Sequence, residues 1–234
     1  MTDESHIFNS VLMPKPTFFN LSEKKRQNIT NLAIAEFASA DYDNASISNI
    51  VKQAKIAKGS FYQYFEDKKD LYLYLVDSAS TQRMAFIKSA RKVERSKRKK
   101  RNFFRELRWL FDISTQFSLQ HPQLTQIINR AAYGDSPIKK DALQRFQSAS
   151  KQPIRDMVEK GIANGDLRAD LDPDLATFMI LTAGENLRYF IPEKLKMDTK
   201  KLAESADLDL DMQGMERIYD GLIQVLERGM GSAA

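Results

Sequence analysis

The sequence contains no cysteine and only 2 histidines among 234 residues. The absence of cysteine excludes a disulfide framework, a thiolate metal site and a cysteine nucleophile. The sequence also lacks a Gly-rich phosphate loop and an H-E-x-x-H pattern. We therefore expect no enzyme, no cofactor and no metal site, although 31 acidic residues always leave a carboxylate pair open as an alternative.

Long hydrophobic runs are also missing. The longest, such as LYLYLV at 71–76, falls far short of the roughly 18 residues that a membrane span needs. The N-terminal MTDES carries acids where a secretory signal would carry positive charge. These features predict a cytoplasmic protein that is neither exported nor embedded in a membrane.

Glycine and proline are scarce, with 9 and 7 residues. Few stretches alternate between apolar and polar residues, so we expect an all-α fold with almost no sheet. An irregular start containing Pro14 and Pro16 precedes the first helix, which Ser22 caps and which ends near Asp41. Ser46 caps a short second helix, and a tight turn at 55–57 follows it.

The rest of the chain reads as longer helices. The first begins near Asp70, and the helix over 102–120 is apolar nearly all round, which predicts a central position. Pro122 and Pro137 each begin another helix, and Pro153 is expected to kink or break the second of these. Asp172 as cap and Pro173 at the first helical position begin the next. A polar, mobile connection over 192–210 is predicted before the last helix.

The net charge of +5 is unevenly distributed, because 8 of the 11 residues from Arg91 to Arg101 are Lys or Arg. This basic run is typical of a solvated helix end or connection. Attraction of acidic ligands or nonspecific attraction to DNA are the alternatives.

The stretch KGSFYQYFEDKKDL, residues 58–71, places four aromatic rings in five positions. In a helix over 58–65, Phe61 and Phe65 share one face and can pack on the preceding helix. The opposite face then exposes polar and aromatic groups. A short helix, a three-residue turn and such a second helix indicate a helix-turn-helix that enters the major groove of DNA.

Each exposed group suits a contact with DNA. Tyr62, Tyr64 and Lys68 suit phosphate oxygens, and Lys58 suits guanine. Gly59 allows close backbone approach. The whole candidate set is Ser46, Ser48, Asn49, Lys58, Gly59, Ser60, Tyr62, Gln63, Tyr64 and Lys68. Aromatic residues at helical spacing are often core residues instead, and that alternative stays open for each tyrosine.

These residues resemble the tetracycline-repressor (TetR) family of bacterial regulators, whose pattern residues 37–71 follow almost throughout. The resemblance is strong over 22–75 and only architectural beyond. Asp41 and Lys55 occupy turns where the family commonly has glycine. A left-handed backbone is tolerated by Asp and should cost Lys only about 1 kcal/mol.

The resemblance implies an N-terminal arm over 1–20, a three-helix DNA-binding domain over 21–69, and a helical ligand-binding and dimerisation domain over 70–234. It further implies a homodimer on a palindromic operator, released by a small-molecule inducer that binds better to the DNA-incompetent state. A protein partner that binds the acidic segment 193–216 is the alternative mode of regulation.

Two residue sets follow for the regulatory half. Apolar stripes on the helix from Pro173 and on the last helix predict a dimer interface at Leu175, Phe178, Met179, Thr182, Met215, Ile218, Tyr219, Leu222 and Leu226. Aromatic and apolar residues that could surround a small apolar or aromatic inducer are Phe104, Trp109, Phe111, Phe117, Tyr133, Phe146, Met157, Phe178 and Tyr189, with Glu185, Asn186 or Arg188 orienting it. Ordinary core packing is the alternative for each of these.

Overall fold

The computed structural model describes residues 14–95, 101–133, 137–204 and 210–232. Within these ranges the regular structure is helical, apart from one isolated bridge between Leu167 and Gly231. The predicted all-α class is therefore confirmed. The described helices are α1 (Pro16–Phe19), α2 (Glu23–Ser39), α3 (Ile47–Gln53), α4 (Lys58–Tyr64), α5 (Lys68–Arg95), α6 (Phe103–Gln120), α7 (Pro122–Tyr133), α8 (Lys139–Ala163), α9 (Pro173–Lys194), α10 (Thr199–Glu204) and α11 (Met212–Met230).

Helix starts follow the local sequence closely. The Ser46 hydroxyl accepts a hydrogen bond from the Asn49 N–H at 3.3 Å and caps α3. The Asp172 carboxylate accepts from the N–H groups of Asp174 and Leu175 and caps α9. Ser22 stands at the cap position of α2, but its side chain makes no capping bond there. Capping positions could thus be predicted because they depend on neighbouring residues only.

The start of the chain is less irregular than the sequence suggested. Residues 16–19 form the short helix α1, and Phe18 is completely buried. Its ring lies 4.9 Å from that of Phe65 and 5.4 Å from that of Tyr74. Contacts with distant residues, which no local pattern reveals, hold α1 in place.

The structure contradicts a break of the helix at Pro153 and a connection without helix over 192–210, whereas a kink at Pro153 stays a prediction. Helix α8 runs unbroken through Pro153. Both Pro153 and Ala149 are exposed, so water can satisfy the carbonyl that loses its helical donor. The predicted connection 192–210 contains the last turn of α9 and all of α10, which packs against α7. Residues 205–209 lie outside the described ranges.

The core continues from the N-terminal helices into the C-terminal half of the chain. One buried cluster joins Phe37 and Phe61 to Leu75 of α5 and to Phe117 and Ile127 of α6 and α7. A second cluster joins α6, α8, α9 and α11. Helix α6 packs against α5, α7, α8 and α11, which confirms its predicted central position.

Candidate DNA-binding surface and ligand cavity

Helices α3 and α4 form the predicted helix-turn-helix. Lys55 lies in the turn between them with a φ of 53°, in the left-handed region that glycine favours. Phe61 and Phe65 are 1% and 0% exposed, and their ring centroids lie 5.5 Å apart. Together with Ile50 and Val51 they belong to the buried cluster beneath α4. The predicted anchoring of α4 by two rings is confirmed.

The opposite face of α4 is open. Lys58, Gly59 and Gln63 are exposed, Ser60 is half-buried, and Tyr62 is 46% exposed. A Cβ added at Gly59 would meet no atom within 4 Å. The protein itself therefore does not require glycine at this position.

Tyr64 does not lie on the exposed face, and that expectation was wrong. It is only 7% exposed, and its ring centroid lies 6.0 Å from that of Phe18. Helix α1 covers it. The sequence would have predicted a buried Tyr64 only if it had also predicted that Phe18 is buried against α4.

The segment before α2 also binds the C-terminal end of α4. The Lys15 N–H donates to the Tyr64 carbonyl oxygen at 2.8 Å, and the Lys15 ammonium donates to the Tyr62 carbonyl oxygen at 3.0 Å. The Thr17 hydroxyl donates to the Gln63 carbonyl oxygen. Three consecutive carbonyls that lack helical donors are thereby satisfied from outside the helix. No local pattern of residues indicated this arrangement.

The N-terminal end of α3 carries the other candidate contacts. Ser48 and Asn49 are exposed, and Ser46 is half-buried. A Glu36 side-chain oxygen accepts from the Ser46 N–H at 2.8 Å and from the Asn49 amide at 3.3 Å. Glu36 therefore fixes this helix end, a function that its position on α2 did not indicate.

Lys68 and Asp41 organise the loop between α2 and α3. The Lys68 ammonium donates to the carbonyl oxygens of Asp43 and Ala45, at 2.9 and 3.3 Å, and lies over the Tyr42 ring. The Asp41 carboxylate accepts from the N–H of Asn44 at 2.9 Å, and this bond lowers the pKa of Asp41. Asp41 does not adopt the left-handed backbone that the family comparison suggested.

A cavity of about 1090 Å³ lies among the helices that follow α4. Helices α5 to α9 supply most of its wall, and α10 and α11 contribute at one side. Much of the lining is apolar, including Met84, Leu110, Phe111, Met157, Ile180 and Ile191.

Polar groups line part of this cavity, among them two arginines. Arg83 donates from Nη2 to the Ser114 hydroxyl at 3.1 Å. Burial, and after it the positive charge of Arg188, lowers the pKa of Arg83 to about 10. Arg83 therefore stays charged at neutral pH, although a second cation lies close enough to repel it.

Another part of the wall holds two further arginines. Arg91 and Arg101 both pair with Glu106, at 2.7 and 3.2 Å, and lie over the ring of Trp109. Arg91, Arg101 and Glu106 line the cavity. These two arginines are the described ends of the basic run, whose residues 96–100 lie outside the described ranges. The alternatives for the run stay open.

Comparison with known families agrees with this architecture. A model of the tetracyclin repressor-like C-terminal domain matches residues 101–231, more than half of the chain. A model of bacterial regulatory proteins of the tetR family matches residues 29–75. The chain belongs to the TetR family. Its members are DNA-binding transcriptional regulators and not enzymes, so the predicted class of protein is confirmed.

Several known proteins are similar to most of this chain. A TetR family regulator from Chloroflexus aurantiacus J-10-FL is 37% identical, with a TM-score of 0.59 over 94% of this chain and 100% of that one. The fatty acid metabolism regulator protein of Bacillus subtilis is 26% identical over 198 residues, which cover 82% of this chain and 95% of that protein. The structure of FadR from Bacillus subtilis in complex with stearoyl-CoA has 17% identity and a TM-score of 0.58, covering 87% of this chain and 98% of that one.

Only some of the residues predicted to surround a ligand line the cavity. Phe111, Phe117, Tyr133 and Met157 line it, as do Glu185 and Arg188. The other described members do not line it. Phe104 is buried in the second core cluster, and the ring of Trp109 lies beneath Arg91 and Arg101. Phe178, Asn186 and Tyr189 are exposed and are not part of the cavity wall. The side chain of Phe146 lies outside the described residues. Aromatic content alone could not separate the two faces of α9.

Only some of the residues predicted for the dimer interface are exposed. On α9, Leu175, Phe178 and Met179 are 55%, 64% and 46% exposed, and Thr182 is exposed too. On α11, Met215, Tyr219 and Leu226 are buried within the chain, so assigning them to an interface was wrong, and Ile218 and Leu222 are half-buried. The most apolar stripe of α11 faces its own core. The exposed Val225 was missed.

Among the residues that the structure describes, no helix combines the length and the apolar character needed to cross a bilayer.

Proposed function

We propose that this TetR-family protein is a repressor that binds a palindromic operator as a symmetric dimer and leaves it when a largely apolar small molecule occupies the cavity. The observation that carries this proposal is that helix α7 forms part of the cavity wall and also packs against α2, the first helix of the DNA-binding domain. A ligand that changes the position of α7 therefore acts on both regions.

The operator contacts proposed for each protomer are the exposed groups of α3 and α4. Lys58, Ser60 and Gln63 are placed to read base edges, and Tyr62 to reach a phosphate oxygen. Ser48 and Asn49 at the start of α3 flank them. Lys68 is assigned a positioning role, because its ammonium already binds the loop before α3.

The exposed apolar face of α9 is proposed as the main part of the dimer interface. Leu175, Phe178 and Met179 would be costly to leave in water, and Val225 of α11 extends the surface. A two-fold axis through this surface gives two α4 helices per dimer. The operator half-sites should then lie about 34–36 Å apart, one turn of DNA.

The connection from cavity to DNA-binding domain runs through two hydrogen bonds of α7. The Tyr72 hydroxyl of α5 donates to the Ile127 carbonyl oxygen at 2.7 Å. The Arg130 guanidinium donates to the Ala38 carbonyl oxygen at the end of α2 at 3.2 Å. Leu124, Thr125 and Ile128 of the same helix line the cavity. Ligand binding lowers operator affinity only by the difference between its affinities for the two positions of α7.

The ligand class proposed is a molecule with a long apolar chain, and acyl-CoA is the first to test. Three observations support it: the cavity is large, much of its lining is apolar, and the similar structure of FadR from Bacillus subtilis is a complex with stearoyl-CoA. The alternative of regulation by a protein partner at 193–216 gains no support, because α10 packs against its own chain.

The deciding experiment begins with genomic DNA from the source organism. Fragments retained by the purified protein are sequenced to identify the operator, and fluorescence anisotropy then measures affinity with and without palmitoyl-CoA. We expect a palindromic site and weaker binding in the presence of ligand. A protein that binds no duplex at low ionic strength would contradict the proposal.

The interface is tested separately with Phe178→Glu. A buried charge on each side of the two-fold axis should convert the dimer to a monomer in analytical ultracentrifugation and weaken operator binding. Leu119→Glu is the matched control, since Leu119 is also about half exposed but lies on α6, outside the proposed interface. If Phe178→Glu remains a dimer, the interface lies elsewhere.

A further inference from the structure

Two of the described glycines, Gly161 of α8 and Gly184 of α9, line the cavity. A Cβ added at Gly161 would lie 2.9 Å from side-chain atoms of both Leu167 and Phe103, so the packing leaves no room for a side chain there. Among the described residues, a Cβ added at Gly184 would meet only the ring of Phe111, at an ordinary contact distance of 3.9 Å. The packing of the chain therefore requires glycine at position 161 but not at position 184.

The backbone of α9 does not require glycine at this position either. Gly184 lies near the middle of the helix and is not among the residues with a positive φ. Other residues adopt such a backbone readily, and in a helix interior glycine is less favourable than every residue except proline. Gly184 thus weakens its own helix, and what its missing side chain provides is space in the cavity.

The wall opposite Gly184 has fixed neighbours. The ring of Phe111 on α6 stacks on that of Tyr219 on α11, with the centroids 5.1 Å apart and the planes at 20°. The hydroxyls of Tyr219 and Thr115 share a hydrogen bond at 3.0 Å, and the Arg108 guanidinium lies over the Tyr219 ring. Because Phe111 is supported in this way, a side chain at position 184 would occupy cavity volume and would not displace the wall.

The space beside Gly184 suits hydrocarbon. Apart from Glu185 and Arg188, the side chains with which α9 lines the cavity are apolar: Ile180, Leu181, Leu187, Ile191 and Pro192. Each methylene of a ligand that is buried against such a wall should raise the affinity by about fourfold.

We infer that Gly184 is a specificity-determining residue. The space left by its missing side chain takes part of the ligand's apolar chain, and this space sets the longest chain that the cavity accepts. The inference rests on the proposed function, because it assumes that the cavity binds a ligand with a long apolar chain. It adds the assignment of chain-length selection to one position in α9.

The test compares wild-type protein with Gly184→Leu, since leucine is a good helix former that fills the space with hydrocarbon. Isothermal titration of the free protein uses the saturated acyl-CoA series from octanoyl-CoA to stearoyl-CoA, each below its micelle-forming concentration. Wild-type affinity should rise with chain length and then level off. In Gly184→Leu the levelling-off should come about four carbon atoms earlier, because leucine replaces roughly that length of chain. The longest chains should lose about tenfold or more in affinity, and the shortest less than about twofold.

Gly221→Leu is the matched control. Gly221 is exposed on α11, has no described atom within 4 Å of an added Cβ and does not line the cavity, so all affinities should stay as in wild type. An unchanged longest chain in Gly184→Leu, or an equal loss of affinity at every chain length, would overturn the inference.

Alanine variants test the packing argument and cover a failure of the leucine variant to fold. Gly161→Ala should lower the midpoint of thermal unfolding, because the added Cβ has no room, whereas Gly184→Ala should raise it or leave it unchanged. If Gly184→Leu does not fold, Gly184→Ala decides the result, with an expected loss of about fourfold for the longest chain only.

The titrations need no DNA, so they separate this inference from the proposed function. If Gly184 limits chain length but acyl-CoA does not weaken operator binding, release by ligand fails and the specificity role stands. If wild-type protein binds no acyl-CoA, that ligand class fails, and the neutral apolar probe phenylnaphthylamine decides on Gly184. Weaker probe binding in Gly184→Leu but not in Gly221→Leu supports the inference, and any other result overturns it.

Discussion

The backbone N–H of Lys15, just before α1, donates a hydrogen bond to the carbonyl oxygen of Tyr64 at the end of α4, at 2.8 Å. The Lys15 ammonium adds a bond to the Tyr62 carbonyl oxygen and an ion pair with Glu66 at 2.6 Å. These contacts order the end of α4 that carries the exposed Tyr62. The N-terminal segment is thus part of the DNA-binding unit.

Lys15→Met should therefore weaken operator binding by about three- to tenfold, because one of the capping bonds and one positive charge near DNA are lost. Anisotropy titrations at several salt concentrations measure the effect. Lys15→Arg keeps a cation and its donors and should bind nearly as wild type. Lys140→Met, an exposed position on α8, is the control for loss of charge alone.

Phe18 and Phe19 provide a matched pair for the stability of α1. Phe18 is 0% exposed and Phe19 is 50% exposed. Phe18→Ala should lower the free energy of unfolding by about 3–5 kcal/mol, since it leaves a cavity among Phe65, Tyr64 and Tyr74. Phe19→Ala should cost less than about 1 kcal/mol. Denaturant titration followed by circular dichroism compares the two, and similar losses would mean that α1 is not docked as described.

Gly59→Ala tests whether glycine at this position is required for DNA binding and not for folding. No protein atom lies within 4 Å of the added Cβ, so the variant should be as stable as wild type or more stable by up to about 1 kcal/mol. Operator affinity should nevertheless fall if the backbone approaches DNA at this point. Gly229→Ala on α11 has the same open surroundings and should leave DNA binding unchanged. Unchanged operator affinity in Gly59→Ala would show that α4 does not contact DNA through this turn.

Tyr62 and Lys58 should differ in what they contribute to recognition. Tyr62→Phe removes a hydroxyl placed for a phosphate, so binding to all sequences should weaken and base preference should stay the same. Lys58→Ala should relax discrimination at one base pair by about 1–3 kcal/mol. Binding to a library of operator variants measures both, with Tyr189→Phe as the exposed tyrosine control. Wild-type behaviour of both variants would reassign the DNA-facing side of α4.

Tyr72→Phe tests the connection through α7. The lost hydroxyl donates to the Ile127 carbonyl oxygen at 2.7 Å in a buried setting. Ligand affinity of the free protein should remain close to wild type, because Tyr72 does not line the cavity. The ligand-induced loss of operator affinity should shrink by about threefold or more, since a coupling energy of roughly 1 kcal/mol depends on this bond. Isothermal titration and anisotropy give the two quantities, and unchanged coupling would exclude this path.

The sequence by itself determined the features that depend on neighbours along the chain. Ser46 and Asp172 cap their helices because a capping bond reaches only two or three residues. Phe61 and Phe65 share a face because a helix brings every fourth residue together. The helix-turn-helix and the all-α class follow from such local rules.

The tertiary structure alone decided which face of each helix meets protein, solvent or ligand. Tyr64 is buried and Tyr62 exposed because α1 packs on one side of α4, and the interior stripe of α11 was mistaken for an interface for a similar reason. Arg83 and Arg188 lie far apart along the chain and line one cavity only because α5 and α9 both form its wall. Apolar periodicity predicts that a helix face is buried, but it does not predict whether the same chain, a second copy or a ligand covers that face.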